Sequence, residues 1–267
     1  SHFKIDRTNG FSLKMKYDSV ASGFGFSYYF DPSNEKHKEL FKPGHYHQAQ
    51  IIHNDELLMT GFMVGQSFSD QPVKELSPVS GYSLPGVLQD SQIPTDLYPL
   101  QSDGLSLKEI TNHLIKKFPF KLEVDPDVSS LVNTVYEKTT ASPTQTIMAY
   151  LSGLASQRNV IMSHTAEGNL LYTKAKTKKE PLFHFVKGQP NTKMALKFPG
   201  QNMHSHITVV KQAGAKGGNA GEFTIKNPFV PFVKRYKVIT QSSGDDNNTE
   251  QAARNALSSE LKGIILT

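Results

Sequence analysis

The sequence predicts a multi-domain α+β fold, ordered β, then α/β, then β plus a helix. Three observations predict it. Apolar residues alternate with a period of two through the first third. The middle third switches to helical spacing, with caps and proline stops. The last third returns to alternation and then carries one more helical stripe. The 267 residues suit about two domains, or three small ones. The expected divisions are a β domain over 1–80, an α/β module over 81–178, and a second β region with its helix over 179–267.

In the first third, Phe11, Leu13, Met15 and Tyr17 alternate with Ser12, Lys14 and Lys16, and Phe24, Phe26, Tyr28 and Phe30 alternate with Gly25, Ser27 and Tyr29. A strand turns alternate side chains to opposite faces, so one set of each is expected in a core. Pro43-Gly44 signals a turn. Ile51-Ile52, Asn54-Asp55 and Leu57-Leu58 read as a hairpin, and Gly61–Gly65 continues the sheet. Several short strands separated by turns suggest a small barrel or sandwich. No long helical pattern precedes residue 84.

Pro72, Pro78, Pro85 and Pro94 mark a connecting stretch, with a short helix near Val87–Ser91. A helix over about 106–118 follows. Ser106 caps it, Glu109 completes a capping box, Leu107, Ile110, Leu114 and Phe118 share a face, and Pro119 stops it. Phe120, Leu122 and Val124 form a strand ended by Asp125-Pro126. A second helix, about 143–157, has Ser142 as cap, Pro143 at its first position and Gln145 in the box. Its buried stripe is Ile147, Leu151, Leu154 and Ala155. A hairpin over about 160–173 turns at Glu167-Gly168.

Lys174–Lys179 reads as a solvated linker. Beyond it, Phe183, Phe185, Met194, Leu196 and Phe198 alternate in two segments. Ile207–Val210 and Tyr236–Thr240 are strands flanking the glycine-rich loop Ala213–Gly221. A helix over about 249–262 buries Ala253, Leu257 and Leu261. The apolar end Gly263–Thr267 has strand character. It predicts either a chain cut short at Thr267 or an end paired with another chain.

Composition narrows the function classes. The absence of Cys excludes disulfide scaffolds, thiolate zinc sites, iron–sulfur clusters and cysteine nucleophiles. No apolar run approaches the ~20 residues that span a bilayer. The net charge of +5 is mildly basic and does not single out nucleic acid as a partner.

No motif specifies a chemistry. His45 and His47 share strand parity, with His53 near them, and His204 and His206 form a second pair. Each pair supplies half of the three or four ligands that zinc needs, so no metal is assigned. Gly214–Gly221 has no Gly-Lys-Ser/Thr ending and no helix behind it, so it reads as a hairpin loop rather than a phosphate cradle. Gly81–Gly86 has the wrong spacing for a nucleophile elbow, and Ser33–Lys36 fits a Ser-x-x-Lys string without partner motifs. Asp103, Glu109, Asp125 and Asp127 are carboxylates that read as caps and turn formers. The expectation is therefore no catalytic residue and no cofactor site.

The middle third also resembles a known family. The residues are Gly81-Tyr82-Ser83-Leu84, Leu88–Ser91, Pro94 and Leu105–Ile110, followed by Ala141–Ile147, Tyr150–Ile161 and Gly168–Thr173. In this order and spacing they are similar to the baseplate hub proteins of Mu-like phage tails. These are related to the hubs of other contractile tails and to the hub part of type VI secretion spikes. The resemblance covers roughly residues 81–176. It implies two tail-tube-like antiparallel β-barrels with the α/β module inserted, and a structural homotrimer. Three chains with two barrels each would form a pseudo-sixfold ring that adapts a hexameric tail tube to a trimeric spike. The implied partners are a second and third copy, the spike, the tube or other baseplate proteins, and DNA passing through the lumen. The implied location is the virion tail baseplate, assembled in the host cytoplasm. No catalytic, cofactor or metal-binding residue carries over.

Two alternatives stand beside the resemblance. A tail-associated cell-wall hydrolase would need paired carboxylates in a cleft, or zinc on His45, His47 and a third ligand. A carbohydrate- or nucleic-acid-binding barrel would group aromatics such as Tyr28, Tyr29 and Phe232 on an exposed face.

Overall fold

Phe24 and Phe26 point into one apolar layer with Phe41, Met59, Met63 and Val79, and this layer organises the N-terminal sheet of the computed structural model. The structure describes residues 3–5, 8–68, 76–176, 179–180, 186, 196–211, 221–241, 248–262 and 265–266. The sheet strands are β1 (Asn9–Lys14), β2 (Gly23–Tyr28), β3 (Gln48–His53), β4 (Glu56–Gln66) and β5 (Ser77–Ser83). They pair antiparallel in the order β1-β2-β5-β4-β3, forming a curled half-barrel. Asn54 and Asp55 have φ of 50° and 63°, the left-handed pair that a two-residue hairpin requires, so the β3–β4 turn is as expected.

Three features of this sheet depart from the sequence reading. Strand β5 lies centrally, within the proline-marked stretch expected to be a connection. Its alternation is hidden because small residues occupy it. A Cβ at Gly81 would run into the Phe62 carbonyl and the Phe24 ring, so close strand and ring packing demands glycine there. A six-residue helix, α1 (Glu35–Leu40), precedes β3. The Asn34 side chain caps it by accepting from the Lys36 and His37 amides, and it is too short to show a period. Finally, Phe11 on the edge strand β1 is exposed, and Met15 and Tyr17 are exposed because they lie past the end of that strand, in the turn that leads to β2.

The α/β module follows the helical stripes. Its helices are α2 (Leu107–Ile115), α3 (Ser129–Asn133) and α4 (Ile147–Gln157), and its strands are β6 (Leu122–Val124), β7 (Ile161–His164) and β8 (Leu170–Thr173). The sheet order is β6-β8-β7, with β6 parallel and β7 antiparallel to β8. Leu107, Ile110 and Leu114 of α2 meet Ile147, Leu151 and Leu154 of α4 in one core, which extends to Val20 and Leu84. Helix α4 starts at Ile147 rather than 143. Thr146 caps it, while the Gln145 side chain accepts from the Ser142 amide in the preceding turn.

The C-terminal unit contains β9 (Leu196–Lys197), β10 (His206–Lys211), β11 (Gly221–Lys226), β12 (Tyr236–Gln241), α5 (Thr249–Lys262) and β13 (Ile265–Leu266). The sheet order is β11-β10-β12. The β10–β11 pair is antiparallel, with Lys211 opposite Gly221, so the glycine-rich segment joins a hairpin. The β10–β12 pair is parallel, which departs from a purely antiparallel expectation. Segment 227–235 carries the chain past β10 before β12 begins. Helix α5 covers one face and buries Ala253. Strand β13 pairs antiparallel with β9, with Ile265 opposite Lys197. The expected alternation at Phe183, Phe185 and Met194 lies outside the described residues, as does most of the glycine-rich loop.

Candidate functional site

The surface features that stand out among the described residues are sheet edges bearing exposed apolar residues. Among the described residues neither β sheet closes on itself: β1 and β3 are the edges of one, β11 and β12 the edges of the other. Parallel register places Tyr236 beside His206 and Val238 beside Thr208, on the face away from α5. Tyr236 and Val238 are each 67% exposed. The preceding loop adds Phe229, Val233 and Phe232, which is 95% exposed. Phe198, Met203, Phe229, Val230 and Val233 line one concavity of about 450 Å³. Arg235 fixes this loop by donating to the Gly200 and Gln201 carbonyls at 2.7 and 2.6 Å, and the Asn227 side chain accepts from the Phe229 amide. The result is a contiguous apolar patch held in place beside an edge strand.

Several titratable groups are engaged in ion pairs and hydrogen bonds within the fold. Glu260, buried among α5 and the C-terminal sheet, accepts from the His204 amide at 2.9 Å and ring at 2.7 Å, and from Lys237 at 3.1 Å. Burial alone would raise its carboxyl, but these donors hold it below the usual range. His206 contacts Ser205 Oγ and lies against Tyr236, so His204 and His206 do not converge. Lys176 donates to both Asp125 and Asp127. That pairing, with the Asp127 amide, brings Asp125 down to about 2, and the same lysine lowers Asp127. Lys176 of the expected solvated linker is thus tied to the module.

The remaining candidates are similarly engaged. Asp103 accepts from the Thr139 amide at 2.8 Å. Glu109 closes the box with Ser106, and those bonds hold its carboxyl down. Ser83 Oγ donates to the Val20 carbonyl and accepts from the Ser22 amide, both buried. Ser33 bonds Asp31 beside the α1 cap. Of the aromatics named for a stacking platform, Tyr28 packs on His37 and Phe41 in the N-terminal sheet, while Tyr29 and Phe232 are exposed. His53, at the end of β3, lies apart from His45 and His47. Those two rings stand 5.4 Å apart, and Glu39 joins them. Glu39 was not legible as a partner, because helix α1 and a turn bring it there.

No protein-family model and no curated protein matches the chain. Solved structures do. The 43 kDa tail protein of prophage MuSo2 from Shewanella oneidensis superposes with a TM-score of 0.66 at 18% identity, over 95% of this chain and 76% of that one. The fold is that of phage tail proteins. A tail protein from Neisseria meningitidis matches with a TM-score of 0.63 at 16% identity, over 94% of this chain and 69% of its own. A prophage tail protein from Listeria monocytogenes matches with 0.54 at 10%, over 97% and 72%. The expected resemblance to phage tail proteins therefore holds well beyond residues 81–176, across sheet, module and C-terminal unit. No helix among the described residues is long and apolar enough to cross a membrane.

Proposed function

We propose that this tail-protein fold serves as a structural baseplate hub of a phage or prophage contractile tail. Three copies form a ring that joins the hexameric tube to a trimeric spike, and the lumen admits DNA during ejection. The likeness to prophage tail proteins along 95% of the chain is the observation that carries this reading. The two open sheets support it. Each exposes edges that a neighbouring copy can complete, and closed threefold symmetry satisfies such edges without open-ended growth. In this reading the β regions 1–80 and 179–267 become the two barrel-like walls, with module 81–178 between them. Lys174–Lys179 lies outside the channel, because lysine–phosphate contacts would retard DNA.

The role is mechanical rather than catalytic. Light scattering on the full chain should give a species of three times the 29.6 kDa protomer mass, and co-expression with the spike should give that mass plus the mass of the spike trimer. A strictly monomeric chain in both preparations would overturn the hub. Incubation with purified peptidoglycan, with and without zinc, should leave the substrate intact, and lysis would favour the hydrolase reading.

A further inference from the structure

The turn between α1 and β3 gathers three metal-binding side chains that the sequence distributes over nine positions. Phe41 is buried and its amide caps α1, which fixes the end of the helix that carries Glu39. Gly44 has φ of 80°, and Tyr46, a non-glycine, has φ of 46°. The His47 carbonyl accepts from the Met63 amide at 2.9 Å, which anchors the far end of the turn to β4. The left-handed residue between the histidines costs about 1 kcal/mol and bends the chain so that both rings face Glu39. One donor atom from each of Glu39, His45 and His47 lies within 4.8 Å of the others. His45 Nδ1 and Glu39 Oε1 are 3.6 Å apart.

The hydrogen bonding prepares one ligand. His47 Nε2 lies 3.0 Å from the Glu39 backbone carbonyl. A carbonyl only accepts, so Nε2 is the donor in this contact, and in the neutral ring that leaves Nδ1 as the nitrogen able to bind a metal. Donors around a tetrahedral zinc ion stand about 3.3 Å apart. Glu39 is exposed, so its long side chain can rotate to close the remaining gap.

We propose that Glu39, His45 and His47 form a binding site for a divalent cation of the zinc class, with a water completing four-coordination. Two imidazoles and a carboxylate are the donor set that suits Zn²⁺ over Mg²⁺ or Ca²⁺. The ion would clamp the end of α1 to the start of β3. This inference is independent of the hub reading.

Calorimetric titration of the full chain with Zn²⁺ should show one saturable site per chain. His45→Ala, His47→Ala and Glu39→Gln should each weaken it at least ~10-fold. His53→Ala and His2→Ala should leave both affinity and stoichiometry unchanged. In the unsubstituted chain, NMR of the histidine rings should show His45 and His47 shifting together at one equivalent. Absence of saturable binding, full binding by the His45→Ala/His47→Ala double variant, or ring shifts confined to other histidines would overturn the site.

Discussion

Asp125 shows how single residues couple the linker to the module. Its carboxylate accepts from Lys176, the Asp127 amide and the Thr173 hydroxyl, and this holds it at about 2. A carboxyl lowered on folding contributes stability above its unfolded value of about 3.9, and loses it as pH falls towards 2. Urea unfolding midpoints should therefore stay level from pH 7 to 5 and decline below about pH 4. Asp125→Asn should lower the midpoint at pH 7 and flatten the acid limb. Parallel pH curves for the two proteins would contradict this assignment. The residue scale was also the least legible in the sequence. Asp125 read as a turn former, which it is, but its lysine sits 51 positions away. Tyr136 went unremarked because segment 126–141 has no period. It is nevertheless fully buried, donates to the Leu154 carbonyl, and lies under the Arg158 guanidinium at 3.6 Å.

Helices illustrate what periodicity and capping can and cannot locate. The apolar stripes of α2 and α4 were correct because a 3.6-residue repeat survives any choice of end. The start of α4 was not, since Ser142-Pro143-x-Gln145 and Thr146 both offer cap chemistry in adjacent turns. The structure spends the first on a turn and the second on the helix: Thr146 Oγ1 accepts from the Ala149 amide at 3.2 Å. Strands were legible where both faces differ, as in β2, and illegible where they do not, as in the glycine- and serine-rich β5 or the outward-facing β1. The capping assignment is open to measurement. Ser106→Ala and Thr146→Ala should each cost about 1 kcal/mol, while Ser142→Ala should fall within about 0.5 kcal/mol of the parent. Denaturant unfolding of the three variants decides it. Equal losses at Ser142 and Thr146 would mean that the helix begins a turn earlier.

For the whole molecule, the order β, α/β, β plus helix was readable, but the way each sheet ends was not. Alternation reports which residues face a core and says nothing about which edge is left over. The parallel β10–β12 pairing and the return of β13 to β9 arise from long connections that carry no local signal. The aromatic patch escaped for a related reason, since Phe198, Phe229 and Val233 come together through long-range contacts such as the Arg235 clamp on Gly200 and Gln201. Under the hub reading this edge meets a second copy of the chain, and that makes a specific demand on Val238. Its side chain is exposed on an edge strand, away from the α5-covered core, so a charge there leaves the protomer intact. At a subunit contact the same charge would have to be stripped of water without a partner, which is costly. Val238→Lys should therefore lower the assembled fraction at least ~10-fold at equal concentration, while the unfolding temperature of the protomer stays within a few degrees. Light scattering and thermal unfolding on one preparation separate the two effects. Assembly unchanged by Val238→Lys would remove β12 from the subunit contact and leave β1, with its exposed Phe11, as the edge to test next.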